Sequence, residues 1–464
     1  MSRQYDNRSM LERPITSLLI RMTIPSIIGL LGIMSFNIVD TWFVAKLGTE
    51  KLAAITFTFP VVMIINSLSL GIGIGVMTLV SKVGGRDADD KKRMLATSSL
   101  ILGLIIAAVI IAIGMTTIDP LFRFLKADNE LLPYIKEYML IWYPGSLFIV
   151  VPMIGDHILR GLGDMKTPAY VMLCASLSNC ILDPILIFGF GAIPAMGIKG
   201  AALATVISRM FTAIVSISIL IFRENLIIFR PGLNRIKTIV SSFSTILFIG
   251  LPNSLVRIVP PASAAVFTAM LAKYGKEAVA GFGVAAKIEM FALTVIIAFS
   301  ITAAVFTGQN LAVGNHKRAQ QGVWRLQQLS AIYGIIVSFL LIAGGRFICK
   351  QFDSDPAVYN VGYQYLQIIS FSYIFLSFIM IAISIMNVLH KPLSAAVVSI
   401  SHMFLFSVPL AFVLSGFWGS DGIFAAIAIA NTVIGLVMLR LSKKQLKTAA
   451  DDFDESDFDV ALVE

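Results

Sequence analysis

Charge is what this chain has least of. Only 14% of its 464 residues are Asp, Glu, Lys or Arg, while 57% are hydrophobic. Soluble domains carry about 25% charged residues, so the soluble globular class is excluded. Cysteine is scarce too: Cys174, Cys180 and Cys349 are too few for a disulfide framework. The first two lie six apart and match no metal or redox spacing, so all three read as small apolar fillers. Four histidines (His157, His316, His390, His402) lie far apart in the chain, with no Ser-His-Asp or metal-ligand clustering. No Walker motif occurs, which argues against ATP as an energy source for this chain. Gly71-Ile72-Gly73-Ile74-Gly75 follows no strand and sits inside an apolar run, where small residues allow close helix packing. A cleavable signal peptide is not apparent; a polar stretch of about 15 residues leads directly into the first apolar run.

Long apolar runs fill the chain instead. Those near 16–44, 52–80, 95–118, 138–160, 168–190, 198–222, 240–271, 278–306, 322–345, 362–386, 394–415 and 420–441 each reach the roughly 20 residues that cross a bilayer as helix. We therefore expect an all-α polytopic membrane protein with twelve spans. The chain also repeats itself. A shift of 227 lays Ala45, Lys46, Gly48, Glu50 and Ala53 on Ala272, Lys273, Gly275, Glu277 and Ala280. The same shift lays Tyr138, Phe148, Ile154, Ile158, Leu162 and Ala169 on Tyr365, Phe375, Ile381, Ile385, Leu389 and Ala396. Six spans per copy, an even number, make the copies parallel repeats, an architecture used for alternating access.

Orientation follows from the basic residues. With a cytoplasmic N-terminus, most of the 36 Lys and Arg fall in inner segments, among them Arg13, Arg21, Lys82–Arg93, Arg160, Lys166, Arg223, Lys317 and Lys443. Arg209, Arg257 and Lys287 lie inside spans. The net charge of +9 is thus mainly a topology signal, and its scatter over short loops excludes a nucleic-acid partner. Both termini are expected in the cytoplasm, with the chain in the plasma (inner) membrane. The expected division is an N-lobe over 1–222, a linker over 223–239 with the breaker Arg230-Pro231-Gly232, a C-lobe over 240–445, and an acidic solvated tail over 446–464.

An acid in lipid costs about 2.5–3.5 kcal/mol on insertion scales, so intramembrane acids are functional candidates. Asp40 in span 1 and Asp183 in span 5 each sit six residues from the outer end of their span, about 9 Å deep. Thr205 in span 6 reaches a similar level, and Asn179 lies one turn from Asp183 on the same face. Pro184 frees the carbonyl of Cys180 between them, and Pro25 gives span 1 a hinge. Under the repeat shift Asp40 meets Phe267 and Asp183 meets Leu410. The second copy lacks these acids, so the fold does not require them. A purely structural reading, in which both acids satisfy local polar groups, is the alternative. In the second half, Arg257 and Glu289 are expected to pair across helices, with a proton or substrate role for Glu289 as the other reading. Met34, Phe36, Asn37, Asp40, Met153 and Met172 are candidates for lining a substrate pocket, against plain packing.

Twelve spans in two homologous halves resemble the multidrug and toxic compound extrusion (MATE) family. The resemblance rests on Asn37 followed by Val39-Asp40-Thr41, on Leu159-Arg160-Gly161-Leu162-Gly163-Asp164-Met165-Lys166-Thr167-Pro168, and on Gly197-Ile198-Lys199-Gly200-Ala201-Ala202. It covers residues 10–445 and implies a V-shaped, two-lobe transporter and not an enzyme. Within the family the chain is similar to the DinF-like branch, which implies that Asp40, Asn179, Asp183 and Thr205 bind the coupling cation. The NorM-like branch carries an acid in span 10, where this chain has none. Phe36 departs from the tyrosine found in some DinF-like members.

These readings converge on a secondary multidrug antiporter that exports amphipathic cationic compounds, drugs or toxic organic cations, in exchange for protons. Sodium is the alternative ion, since Asp, Asn and Thr oxygens are hard ligands. No cofactor other than the coupling ion is expected, the bilayer is the setting, and the chain is expected to act as a monomer. A flippase for lipid or lipid-linked oligosaccharide is the alternative function; it calls for a basic cavity, and intramembrane cations are few. A channel or receptor is disfavoured by the tandem repeat.

Overall fold

The computed structural model describes residues 13–83, 88–125, 129–191, 193–228, 233–352 and 355–451. Arg230-Pro231-Gly232 and the acidic tail from Asp452 onward lie outside the described residues. The N-terminal half contains α1 (Ile15–Ala45), α2 (Thr49–Lys82), α3 (Ala88–Phe124), α4 (Leu132–Gly145), α5 (Leu147–Gly161), α6 (Lys166–Phe188) and α7 (Ile198–Ser218). After them come α8 (Leu233–Leu271), α9 (Lys276–Leu311), α10 (His316–Phe352), α11 (Pro356–Ile369), α12 (Tyr373–Val388), α13 (Pro392–Ile400) and α14 (Val408–Asp451). Among the described residues the sole β pairing is an isolated bridge between Phe190 and Ile193.

Ten of these stretches are long and apolar enough to cross a membrane, and α4 with α5, bent by 41°, supplies an eleventh. The stretch Pro392–Lys447 covers both of the last two apolar runs. Its backbone breaks at Gly419 (φ 60°, ψ −136°), a conformation open to glycine and costly for other residues. The helices outrun the apolar runs: α3 and α10 extend beyond the expected 95–118 and 322–345. A mean-hydropathy signal ends where charged residues begin, whereas the helix continues through them.

The described residues form two compact units, 28–254 and 13–27 with 255–451. The division falls inside α1, shortly after Pro25, and inside α8, shortly after Pro252. Those two prolines are themselves related by the repeat. In the first unit, Ile72, Val76, Leu79, Leu102, Ile154 and Ile158 form one core. Phe122, Tyr138, Met139, Trp142 and Tyr143 dominate another. The second unit centres on Phe282, Tyr365, Ile423 and Phe424. Large apolar residues such as Ile105, Val109 and Ile113 on α3, or Ile335 and Phe339 on α10, are left exposed. Such faces are stable against acyl chains rather than water.

Between helices in lipid, close packing replaces the hydrophobic effect as the source of adhesion. Gly200 shows how the sequence provides for it. A Cβ at this position would overlap the carbonyl of Leu186, so only glycine lets α7 lie against the end of α6. The neighbouring Ala201 and Ala202 are fully buried. That contact fixes the pair of helices on which Asp183 and Thr205 are mounted.

Candidate ion-coupling site

Asp183 and Asn179 are completely buried on α6, and the side-chain amide of Asn179 donates to Asp183 Oδ1 at 3.1 Å. The i, i+4 spacing brings them onto one face, as the sequence implies. Asp40, on α1, is half-buried. It lies within electrostatic reach of Asp183. Thr205 is buried on α7, which packs along α6. Its hydroxyl makes no hydrogen bond to the other three.

The four expected residues thus occupy one unit, and two carboxylates interact there. Three oxygens in this group, Asp40 Oδ1, Asp183 Oδ2 and Asn179 Oδ1, are buried without a hydrogen-bond partner. Buried polar atoms rarely remain so. Three such acceptors suit a proton or a small hard cation, whose ligands are oxygens.

Tyr138, absent from the expected set, completes the group. It is buried on α4, within electrostatic reach of both Asp40 and Asp183. The repeat held the signal, since Tyr138 is matched by Tyr365, which faces an acid in the other unit. There the Tyr365 hydroxyl donates to Glu289 Oε2 at 2.6 Å, and Tyr373 lies within electrostatic reach of the same carboxylate. The ion pair expected between Arg257 and Glu289 does not form; tyrosine hydroxyls, not a guanidinium, surround Glu289. Sequence could not decide this, because which faces of α8, α9 and α11 meet is a packing outcome.

Met172 is buried on α6; Met34 and Met153 are half-buried, and Met153 packs against the core that contains Tyr138 and Tyr143. The side chains of Phe36 and Asn37 lie outside the described residues. Pro25 and Pro184 sit inside α1 and α6. Arg160, read as part of an inner loop, is instead buried within α5. Buried one turn before it is a third acid of this half, Asp156, absent from the expected set. The i, i+4 Asp156–Arg160 pair at the end of an apolar run was the available signal.

The loop motif between spans 4 and 5 also has a physical account. Asp164 Oδ1 accepts from the amides of Lys166 (3.1 Å) and Thr167 (2.9 Å), capping α6. Its Oδ2 accepts from the Thr167 hydroxyl and from Arg223 at 2.5 Å. Gly163 adopts a positive φ of 92°. At Gly161 a Cβ would approach Met77 O to 2.9 Å. Burial works against the charge on Asp164, but the Thr167 and Arg223 hydrogen bonds, with the Arg223 charge, outweigh it and hold its carboxyl below the usual carboxylate range.

Two parallel six-helix halves, an acid pair in the first and no nucleotide motif define a secondary transporter of two repeats. The chain belongs to the MatE family, whose profile matches it twice, over residues 25–185 and 252–413; the two matches restate the 227-residue repeat. It is a multi-pass membrane protein from a family of multidrug efflux transporters, not an enzyme. The "FAD transporter" of Shewanella oneidensis is 33% identical, covering 95% of this chain and 97% of that protein. A "Probable multidrug resistance protein YoeA" of Bacillus subtilis is 26% identical over 92% of this chain and 93% of its own. Among solved structures, the Vibrio cholerae MATE transporter VcmN in its bent form superposes with a TM-score of 0.87 at 26% identity, covering 95% of this chain and 99% of that one.

Proposed function

We propose that this chain is an antiporter that moves amphipathic organic compounds out of the cytoplasm in exchange for protons, and that Asp40, Asn179, Asp183 and Thr205 handle the ion, with Tyr138 beside them. The supporting observation is that Asp40 lies within electrostatic reach of Asp183, in a group that leaves three buried oxygens without partners. A cationic cargo and a proton compete for the same carboxylates. Charged, the pair attracts the cargo. Neutralised, it releases the cargo, and alternating access returns the ion to the other side. Sodium fits the same oxygens and is the second candidate ion. The basic-residue distribution supports cytoplasmic termini in the plasma (inner) membrane.

A second reading of the cargo follows from the Shewanella oneidensis relative, named as an FAD transporter. Under it the cargo is a flavin dinucleotide or a molecule of like chemistry, and the acids serve the ion alone. The relatives do not favour a lipid-linked flippase. Proteoliposomes loaded with ethidium or with FAD, under separate proton and sodium gradients, test the ion and cargo together. Transport of either cargo that responds to a proton gradient supports the proposal. Equal transport by wild type and by Asp40→Asn and Asp183→Asn under that gradient overturns it.

A further inference from the structure

The buried face of α7 is polar along most of its length. Thr205, Ser208, Thr212 and Ser216 are all buried, and Arg209 lies beside them. At 100° per residue these five fall within an arc of about 100°, spread over about 16 Å of helix. The upper end of the stripe lies on the helix packed against Asn179 and Asp183. At the lower end the Ser216 hydroxyl donates to Asp156 Oδ1 at 3.3 Å. Asp156 is 1% exposed and Arg160, one turn further along α5, is 4% exposed. Arg160 and Arg209 both lie within electrostatic reach of the carboxylate. These two guanidiniums and Ser216 are the charged and polar groups that face it; His157, next in sequence, has its ring beside Gly73 on α2.

A stripe of this kind costs stability unless it is used. Hydroxyls and charges in a membrane interior are retained where a purely apolar face would pack as well. A buried ion cluster that served only structure would also be expected to satisfy its hydrogen bonds. Here Ser208 Oγ, Asp156 Oδ2 and Arg160 Nε are buried without a partner, as is Asn179 Oδ1 at the other end. Successive hydroxyls stand about 4.5–6 Å apart along the axis, a gap that one water bridges. Under the repeat shift Asp156 meets Ile383 and Arg160 meets Asn387. The second copy builds the same helices without the charges.

We propose that this stripe is a proton wire through the first unit, with Asp156 as its relay toward the cytoplasmic side. A proton leaving the Asp40–Asp183 pair passes along the hydroxyls and bridging waters to Asp156 Oδ2. From there it is handed to water near Arg160 and the Asp164–Arg223 contact, where Arg223 is 36% exposed. The two guanidinium charges compensate the ionised relay. Cargo and proton then leave the acid pair by different routes. The inference rests on proton-coupled antiport as proposed above.

The test compares two modes in proteoliposomes of the full chain. Net proton-coupled transport is read with a trapped pH dye; cargo-for-cargo counterflow moves no net proton. Asp156→Asn is expected to slow net proton flux by about tenfold or more while counterflow stays within about twofold, and Asp156→Glu to restore the flux. Ser208→Ala, a smaller change to packing, is expected to slow the flux severalfold in the same selective way. Equal loss of both modes in Asp156→Asn and Ser208→Ala, or wild-type proton flux in both, overturns the relay. Cargo-driven proton flux that is absent from wild type defeats the antiport reading itself, a result distinct from either.

Discussion

Asn179 donates its side-chain amide to Asp183 at 3.1 Å, one helical turn away and with both side chains wholly buried. This bond holds one carboxylate oxygen in place and leaves the other, Oδ2, for a proton or cation. Asn179→Ala removes the donor. One hydrogen bond to a charged group contributes about 1.5–3 kcal/mol, so coupled transport should fall by about 10- to 100-fold. Asp183→Asn should lose it more fully, in vesicles under an imposed proton gradient. Retained coupling in Asn179→Ala would show that the amide is dispensable.

The second unit repeats the arrangement with different chemistry. Tyr365→Phe takes the hydroxyl from Glu289 Oε2 and leaves a buried acid short of a donor, a change that costs about 1–3 kcal/mol. The thermal midpoint of the purified protein should drop. Glu289→Gln, which keeps an acceptor for Tyr365, should drop it less. A larger loss in the glutamine variant would mean that the negative charge itself is needed there.

Gly200→Ala introduces a methyl group against the Leu186 carbonyl. Neither backbone can yield without parting α6 from α7. Overpacking of this kind costs about 1–3 kcal/mol. Both thermal stability and coupled transport should fall, because these helices carry Asp183 and Thr205. The control is Gly283→Ala, where a Cβ meets nothing within 4 Å and where melting and transport should stay at wild-type levels.

Asp164 gives a pH dependence whose sign can be stated. Its carboxyl is held below the usual carboxylate range because hydrogen bonds from Thr167 and Arg223, with the Arg223 charge, outweigh its burial. A depressed carboxylate contributes stability that is present above its unfolded value, near pH 4, and is lost as pH falls through the native value. Arg223 is partly solvated, so Asp164→Asn should cost only about 1–2 kcal/mol at neutral pH. Melting curves of wild type and variant should converge as the buffer is taken below about pH 4. A gap that persists in acid would place the effect in packing rather than charge.

Composition and periodicity alone determined a good deal. Low charge, apolar runs of spanning length and a 227-residue repeat dictated the helices and their pairing into halves, because a bilayer leaves a chain few other ways to satisfy its backbone. Intramembrane acids with no acidic counterpart under the repeat shift marked Asp40 and Asp183, and the i, i+4 rule placed Asn179 beside Asp183. The partners of Glu289, the nearness of Tyr138 to the acid pair and the burial of Asp156 and Arg160 were decided only by tertiary structure. Each depends on which faces of helices distant in sequence meet, and that is set by close packing of small residues such as Gly161 and Gly200 against particular carbonyls, a fit with no one-dimensional signature.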